Sequence, residues 1–381
     1  MRVLPRAKVG LANMGADGSH WDDDVTPMVT EIVHAGARVD FIAMSCYGRG
    51  TQGRYDITTA ALCSARLANM RAIGGKPWAQ LPAQTMEYGL QQNALQKVDD
   101  DPGVFGGAWQ LATSVAHARA GVERCFQWHF GELAFSHDKG LCSTRKSQSK
   151  CSLYSGRSWV QAMAGHLFNK PTSIGIRAGS AAFNATVLMA LRPGSNSTAT
   201  PPDDTTGVGG RHRRVAVTSA DGIGGWGEDE SGALELRLLI TTFSPATKTA
   251  DGKPVNVQIS FILPLQWSAT SRMQVKSAVL NRSTSTFDAI WRSGAKKGWL
   301  TNASDPNVYP LSKAEPPMLT RAGRTALENE DGAALLAMQR ETFSLSDWRE
   351  ASGMVECTGA ACTLSTRMTP PSVIALWLRA Q

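Results

Sequence analysis

The chain has 381 residues, of which 42% are hydrophobic and 19% are charged, and its formal net charge is +7. This length is enough for two domains with a large core, and the composition excludes an intrinsically disordered protein. No apolar stretch approaches the ~20 residues that cross a bilayer, so the sequence predicts no membrane span. The basic residues do not cluster with aromatic residues in a nucleic-acid-binding motif, so we expect no nucleic-acid partner.

Residues 1–170 alternate short apolar runs with longer helical patterns. Runs of strand length occur at "KVGLANM", "RVDFIAMSCYG", "AQTMEYG" and "VERCFQWHFGE". Each is followed by a helical pattern, in order "WDDDVTPMVTEIVHAGA", "TTAALCSARLANMRAIGG", "FGGAWQLATSVAHARAG" and "LYSGRSWVQAMAGHLF". Four consecutive strand–helix units predict a parallel sheet with crossover helices, and their spacing is that of a (β/α)8 TIM barrel, of which they would form about half.

Residues 171–381 have a different pattern. Short apolar runs such as "LELRLLITTFSP", "VNVQISFILPLQW" and "RMQVKSAVL" are separated by Gly, Pro, Ser and Asp. Regularly spaced runs with turn signals are typical of an antiparallel β-sandwich, and the Gly-rich "DGIGGWGEDE" is interpreted as one of its turns. The sequence therefore predicts an α/β plus all-β protein, with a partial barrel over residues 1–170 and a β-sandwich over residues 171–381.

In a (β/α) barrel the active-site groups lie at the C-terminal ends of the strands. The four strand ends of this chain offer, in order, Asn13, then Ser45 and Tyr47, then Glu87 and Tyr88, then Trp128, His129 and Glu132. A Glu, a Tyr and a Trp on neighbouring strand ends suit a sugar site. The carboxylate can attack an anomeric carbon, the Tyr hydroxyl can keep that carboxylate ionised, and the indole can stack on a pyranose.

Each of these residues also has a simpler interpretation. Glu87 could be an ordinary loop carboxylate, Tyr47 could be a core residue with a satisfied hydroxyl, and Trp128 could serve packing alone. Their occurrence together at matching strand ends favours the sugar site over three separate coincidences.

Several segments resemble glycoside hydrolase family 39. "RVDFIAMSCYG" is similar to that family's "vDF-x-s-x-H-x-Y" segment, and "QTMEYG" resembles the strand-7 "TE" motif that carries its nucleophile. "FQWHFGE" resembles the family's strand-8 stretch. "STFDAIWRSGAKKGWLTNASDPNVYPLS" and "MTPPSVIALWLRAQ" resemble segments of its β-sandwich. The resemblance implies a retaining glycosidase of the xylosidase and iduronidase type with a barrel and a sandwich.

Under this resemblance Glu87 is the nucleophile, Tyr47 is its hydrogen-bonding neighbour and Trp128 is the sugar platform. Further substrate contacts are then expected from Tyr88, Glu132 and Asn13. The ligand would be an oligo- or polysaccharide, with xylose- and uronic-acid-containing glycans as candidates. No cofactor and no metal site are expected.

The chain departs from the family at two points. The family's acid/base Glu lies in an Asn-Glu-Pro motif, which this sequence lacks, and Ser45 stands where the family has His. The strand pattern matches the family from its fifth strand onward. We therefore expect a truncated chain, one half of a split enzyme, or a degenerate relative, inactive by itself. The alternative function is a non-catalytic carbohydrate-binding or surface-structural protein derived from a glycosidase.

Two further features favour an extracellular or secretory location. The pairs Cys142 with Cys151 and Cys357 with Cys362 flank short loops without His at ligand spacing, so they are candidates for disulfide-closed loops. Four N-x-S/T sequons begin at Asn184, Asn196, Asn281 and Asn302. Such sequons are acceptors for N-linked glycans in secreted proteins.

Overall fold

The computed structural model of the chain describes residues 8–11, 14–15, 24–49, 58–91, 103–127, 155–168, 172–178, 184–191, 219–228, 233–243, 252–262, 273–299, 322, 326, 329–343, 345–359 and 361–380. Within them a first sheet consists of β1 (Met14–Gly15), β2 (Ile42–Arg49), β3 (Ala83–Gln91) and β4 (Val122–Gln127). The strands follow their chain order and every neighbouring pair is parallel. The parallel pairing agrees with the predicted strand–helix units, whereas the half barrel itself stays a prediction.

The first strand is shorter than the sequence predicts. The run "KVGLANM" was expected to be a strand over residues 8–14, but β1 comprises Met14 and Gly15 only. Upstream of β1, a single parallel bridge joins Gly10 to Phe41. Gly10 therefore contacts the residue before β2, while Met14 and Gly15 pair with β2 itself.

A helix follows each of the four strands in the chain. These helices are α1 (Thr26–His34), α2 (Thr58–Trp78), α3 (Val104–Arg119) and α4 (Gly156–Phe168). α1 ends before Gly36, whose φ of 61° is the left-handed conformation that glycine adopts without strain. Buried apolar residues of α1 and α2, among them Val29, Leu67 and Met70, pack against Ile42 and Met44 of β2.

A second sheet contains ten strands and is almost entirely antiparallel. Its strands are β5 (Thr172–Ala178), β6 (Asn184–Leu191), β7 (Ser219–Glu228), β8 (Leu234–Phe243), β9 (Val255–Ile262), β10 (Met273–Leu280), β11 (Arg349–Glu350), β12 (Val355–Thr358), β13 (Ala361–Met368) and β14 (Ser372–Ala380). The order across the sheet is β11-β10-β14-β8-β7-β5-β6-β9-β13-β12, and only β6 and β9 pair in parallel. The predicted antiparallel character of this region is confirmed.

The two ends of this sheet face each other. Leu238 of β8 and Ile374 of β14 share one buried cluster with Ile259 of β9 and Leu364 of β13. β8 and β9 are separated by three strands in the sheet order, so they can share a core only if the sheet folds back on itself. This arrangement buries the face of β8 that carries Leu236, Leu238 and Ile240, which are alternate residues of that strand.

The opposite face of β8 and β14 is covered by α3 and α4. The rings of Phe105 in α3 and Phe243 in β8 lie 5.0 Å apart, and the Thr241 hydroxyl donates to the backbone carbonyl of Ala108 at 3.3 Å. α3 and α4 also approach closely at Gly156, where an added Cβ would collide with the backbone carbonyl of Gly103, the residue before α3. Helices from the predicted first domain thus complete a core of the second sheet, and the division at residue 170 stays a prediction.

The second half of the chain contains helices that the sequence analysis did not predict. They are α5 (Thr286–Lys296) and α6 (Gly332–Phe343), with short 3-10 turns at Leu345–Asp347 and Ser352–Met354. The interpretation of "DGIGGWGEDE" as a turn was also wrong. Residues 219–228 form β7, which pairs along its whole length with β8.

Two disulfides lie in the described part of the chain. Cys357 and Cys362 are directly opposite each other in the β12–β13 hairpin and are bonded, as their spacing suggested. Cys46 of β2 is bonded to Cys63 of α2, a pairing that the sequence analysis did not consider. Cys142 and Cys151 lie outside the described residues. Among the described helices, none is both long enough and apolar enough to cross a membrane.

Candidate functional site

The pairing of β2 with β3 brings two of the predicted site residues to one region of the sheet. The Cα atom of Glu87 pairs with that of Ser45, and the Cα atom of Tyr47 pairs with that of Gly89, two residues further along β3. Tyr47 lies past the middle of β2, toward its C-terminal end, whereas Glu87 is the central residue of β3 and not at the predicted strand end. The side chains of Tyr47 and Glu87 lie outside the described part of the structure, so their predicted hydrogen bond stays a prediction.

A β-bulge immediately precedes Glu87. The register passes from Met44 paired with Thr85 to Ser45 paired with Glu87, so Met86 is an extra residue on β3. Thr85 and Tyr88 are both buried, whereas Met86 is exposed. Strict alternation would place residues 85 and 88 on opposite faces, and the extra residue allows both to be buried. Bulges of this kind occur often next to active sites, where they redirect a side chain.

Tyr88 lies in the helix-side core behind β3. Its side chain belongs to the cluster formed with α3 and α4, and only 2% of the residue is exposed. Gln161 Nε2 donates to its hydroxyl oxygen at 2.9 Å, and Gln110 Nε2 lies at 3.5 Å. Burial raises the pKa of Tyr88 to about 12. The predicted substrate contact does not fit this placement, because the hydroxyl is enclosed by protein groups.

A thiol and an imidazole meet beside Tyr88. His117 of α3 is fully buried, its Nδ1 lies 3.5 Å from Cys125 Sγ, and its ring contacts the Tyr88 ring edge-to-face at 6.1 Å. Burial lowers the pKa of His117 to about 4. Although Cys125 is exposed at the sheet edge, its sulfur faces the buried imidazole, and burial raises the pKa of that thiol to about 11.

Both pKa shifts favour a neutral thiol beside a neutral imidazole over a thiolate–imidazolium pair. A Cys–His nucleophile requires the thiolate, which a neutral thiol beside a neutral imidazole does not supply. The sequence analysis missed this pair because His117 and Cys125 meet only when α3 packs on β4. The His117–Cys125 pair affects the candidate site only indirectly, because His117 packs against Tyr88, the residue that follows Glu87.

The remaining predicted site residues lie outside the described residues. These are Asn13, Trp128 and Glu132, and Trp128 follows directly after β4, which ends at Gln127. Trp128 is therefore the next residue of the sequence after the C-terminal end of β4. Among the residues that the structure describes, no group of three or more His, Cys, Asp and Glu side chains is placed to hold a metal ion.

Comparisons with known proteins found similar solved structures but no related sequence family. No family model matches the chain, and no curated protein matches it. A solved structure of the bacterial orthologue of human α-L-iduronidase aligns with a TM-score of 0.43 and 10% sequence identity, over 93% of this chain and 53% of that one. The chain thus spans about half the length of that protein.

Proposed function

We propose that this chain is a glycoside hydrolase-like protein in which Glu87 is the nucleophile of a retaining mechanism. The observation that supports the proposal is the backbone register of β2 and β3, in which the positions of Glu87 and Tyr47 are two residues apart on adjacent parallel strands. Adjacent strands are about 4.8 Å apart, so side chains at these positions can meet across one substrate. The ligand class is an oligo- or polysaccharide.

Each proposed residue has one role. Glu87 attacks the anomeric carbon and forms a glycosyl ester, and the Tyr47 hydroxyl donates a hydrogen bond that keeps the carboxylate ionised. Trp128 offers a flat apolar face to a sugar ring, while Glu132 and Asn13 hydrogen-bond sugar hydroxyls. Tyr88 acts from behind the strand, where its hydrogen bond to Gln161 fixes the backbone next to Glu87.

The proposal gives this chain little activity by itself. A retaining mechanism needs a second carboxyl group about 5 Å from the nucleophile to protonate the leaving group. The Asn-Glu-Pro motif that carries this acid in the resembling family is absent from the sequence. We infer that the chain can form a glycosyl ester from an activated substrate but cannot readily cleave a natural glycoside. We also place the protein outside the cell or in the secretory pathway.

Trapping the glycosyl ester tests the proposal directly. An aryl 2-fluoroglycoside has a leaving group that departs without protonation, while its fluorine slows hydrolysis of the ester. After incubation with 2-fluoro-xylosyl and 2-fluoro-uronosyl compounds, peptide mass spectrometry should find the sugar on Glu87. Labelling should disappear in Glu87→Gln and persist in Glu123→Gln, a matched variant of an exposed carboxylate at the start of β4. Stoichiometric label on a different residue would mean that the nucleophile has been misassigned.

If neither the 2-fluoro-xylosyl nor the 2-fluoro-uronosyl compound labels the protein, the result favours the non-catalytic alternative. That alternative predicts that the unmodified chain still binds oligosaccharides, which affinity electrophoresis or calorimetry can measure. Binding that survives in Glu87→Gln but is lost in Trp128→Ala would identify a carbohydrate-binding protein without catalytic function.

A further inference from the structure

The loop between β10 and α5 contains an N-x-S/T sequon with a defined conformation. Asn281 follows Leu280, the last residue of β10, and Ser285 caps the start of α5. We propose that Asn281 is a site of N-linked glycosylation, with its Nδ2 atom as the acceptor of an oligosaccharide from a lipid-linked donor. The proposal does not depend on the glycosidase function.

The side chain of Asn281 is held through its carbonyl oxygen. Oδ1 accepts hydrogen bonds from the backbone N–H groups of Ser283 at 2.9 Å and Thr284 at 3.0 Å. It also accepts from the hydroxyl group of Ser283 at 2.6 Å, while the Thr284 hydroxyl, 3.2 Å away, donates to the backbone carbonyl of Val279 at 2.6 Å. A backbone N–H group can only donate, so these contacts establish which end of the amide is oxygen. Nδ2 therefore lies at the other end of the amide, away from the bonded turn.

A glycan on Nδ2 would leave this turn intact. Within the described part of the chain, the hydrogen bonds of the Asn281 side chain run through Oδ1, and N-glycosylation keeps that oxygen as an acceptor. Asn281 is half-buried, while Ser283 is exposed, so the turn lies at the protein surface. An amide that is bonded through its oxygen leaves its nitrogen as the atom that would carry a glycan.

The turn also unites the two groups that define the sequon. The pattern requires an Asn and a hydroxyl residue two positions later. Here the Ser283 hydroxyl lies against the Asn281 amide in an Asx-type turn, a conformation that such short polar sequences adopt locally. The nascent chain can reach this turn before the protein folds, because its bonds join residues at most five positions apart.

The oligosaccharide would be transferred to Asn281 from a lipid-linked donor, which the secretory pathway supplies. Nδ2 forms a bond to C1 of the first sugar and loses a proton. The bond between C1 and the lipid diphosphate breaks, and the diphosphate leaves with the electron pair. The Cys46–Cys63 and Cys357–Cys362 disulfides fit the same oxidising compartment.

Cell-free translation with microsomes tests this site without requiring the product to fold. The 381-residue chain is given a cleavable secretion signal and a C-terminal tag with its own sequon, so that glycosylation of the tag reports entry into the lumen. We expect peptide mass spectrometry to find a glycan on Asn281 in translocated molecules. Ser283→Thr should retain it, and Ser283→Ala should lose it.

Asn281→Asp is the matched control. It keeps an oxygen acceptor for the two backbone N–H groups but removes the acceptor nitrogen, so we expect one glycan fewer and an otherwise unchanged pattern. A translocated chain with a glycosylated tag and an unmodified Asn281 would overturn the proposal. A glycan at Asn281 that blocks secretion of the chain from eukaryotic cells, while Asn281→Asp is secreted, would also overturn it as a site of the folded protein.

Discussion

The carboxylate of Asp288 in α5 accepts a hydrogen bond of 3.0 Å from the backbone N–H of Val104, the first residue of α3. Its other oxygen lies 3.3 Å from Arg282 Nη1, and both side chains of this ion pair are largely buried. One carboxylate thus caps a helix 184 residues away in the chain and neutralises a buried cation. This contact joins the strand–helix region to the antiparallel region.

We predict that Asp288→Ala lowers the free energy of unfolding by about 3 kcal/mol or more. The change removes an N-terminal cap, which contributes about 1 kcal/mol, and removes one member of a buried ion pair, which costs about 3–5 kcal/mol. Asp288→Asn keeps an oxygen acceptor for Val104 and should recover about 1 kcal/mol of the loss. Urea unfolding at neutral pH measures both. A loss below about 0.5 kcal/mol for the Ala variant would rank this contact with ordinary surface positions.

The helix α5 shows what the sequence contained but the analysis missed. Ser285 is the N-cap, and its hydroxyl accepts from the Asp288 N–H at 3.3 Å. The pattern Ser-x-x-Asp is a capping signal that precedes a helix. It was overlooked because the segment was assigned to a sandwich through family resemblance. The local signal predicts the helix correctly, while the assignment of the whole region to a sandwich stays a prediction.

Other features could not be predicted from local sequence. β7 contains Gly222, Gly224, Gly225 and Gly227, which favour a turn, but pairing with β5 and β8 on both sides makes it a strand. The sequence predicts that Tyr88 contacts substrate beside Glu87. Adjacent residues of a strand face opposite sides, and the bulge at Met86, which determines the side that each residue faces, is not visible in the sequence. The strand order of the first sheet was predictable because each strand–helix unit repeats one pattern.

We predict that His117 makes the fold sensitive to acid. Its pKa is lowered to about 4 by burial, so the unfolded chain, with an ordinary His pKa near 6.5, binds the proton more tightly. Stability from this group is therefore complete above about pH 6.5 and is lost as the pH falls toward 4. At about 1.4 kcal/mol per pKa unit, the loss reaches about 3 kcal/mol. Urea midpoints between pH 7 and pH 4 measure this slope.

His117→Asn should flatten the pH dependence over this interval. His34→Gln, at an exposed position at the end of α1, is the matched control and should leave the slope unchanged. An equal slope in wild type and His117→Asn would show that other groups govern the acid response.

We predict that the two described disulfides contribute unequally. The loop closed by Cys46 and Cys63 has a sequence separation of 17, against 5 for Cys357 and Cys362. The chain-entropy relation gives about 3 kcal/mol for the longer loop and about 2 kcal/mol for the shorter. Replacing each pair by Ala and measuring unfolding should reproduce this order. A larger loss from the hairpin pair would contradict an account based on loop length.

We predict that Gly36→Ala destabilises the protein by about 1 kcal/mol. Gly36 has a φ of 61° and follows α1, where its N–H bonds to the carbonyl of Val33 at 3.0 Å. A Cβ at this position would meet no atom within 4 Å, so the cost comes from the left-handed backbone alone. Gly353→Ala is the matched control, with equal space and no positive φ, and should change stability by less than about 0.5 kcal/mol. Thermal unfolding of the two variants separates backbone strain from crowding.

The last prediction concerns the leaving group. Glu87 is proposed as nucleophile without a matching acid, and general-acid assistance contributes about 10²- to 10⁴-fold. Glycosides whose phenol leaves without protonation should therefore react measurably, while unactivated xylosides and uronides should react at least about 10²-fold more slowly. Steady-state rates across a series of aryl leaving groups should show a steep dependence on phenol pKa, and Glu87→Gln should abolish turnover where Glu123→Gln does not. Robust cleavage of a natural glycan by this chain would mean that it contains an acid that the Asn-Glu-Pro motif does not reveal. Turnover that persists in Glu87→Gln would remove Glu87 from the mechanism.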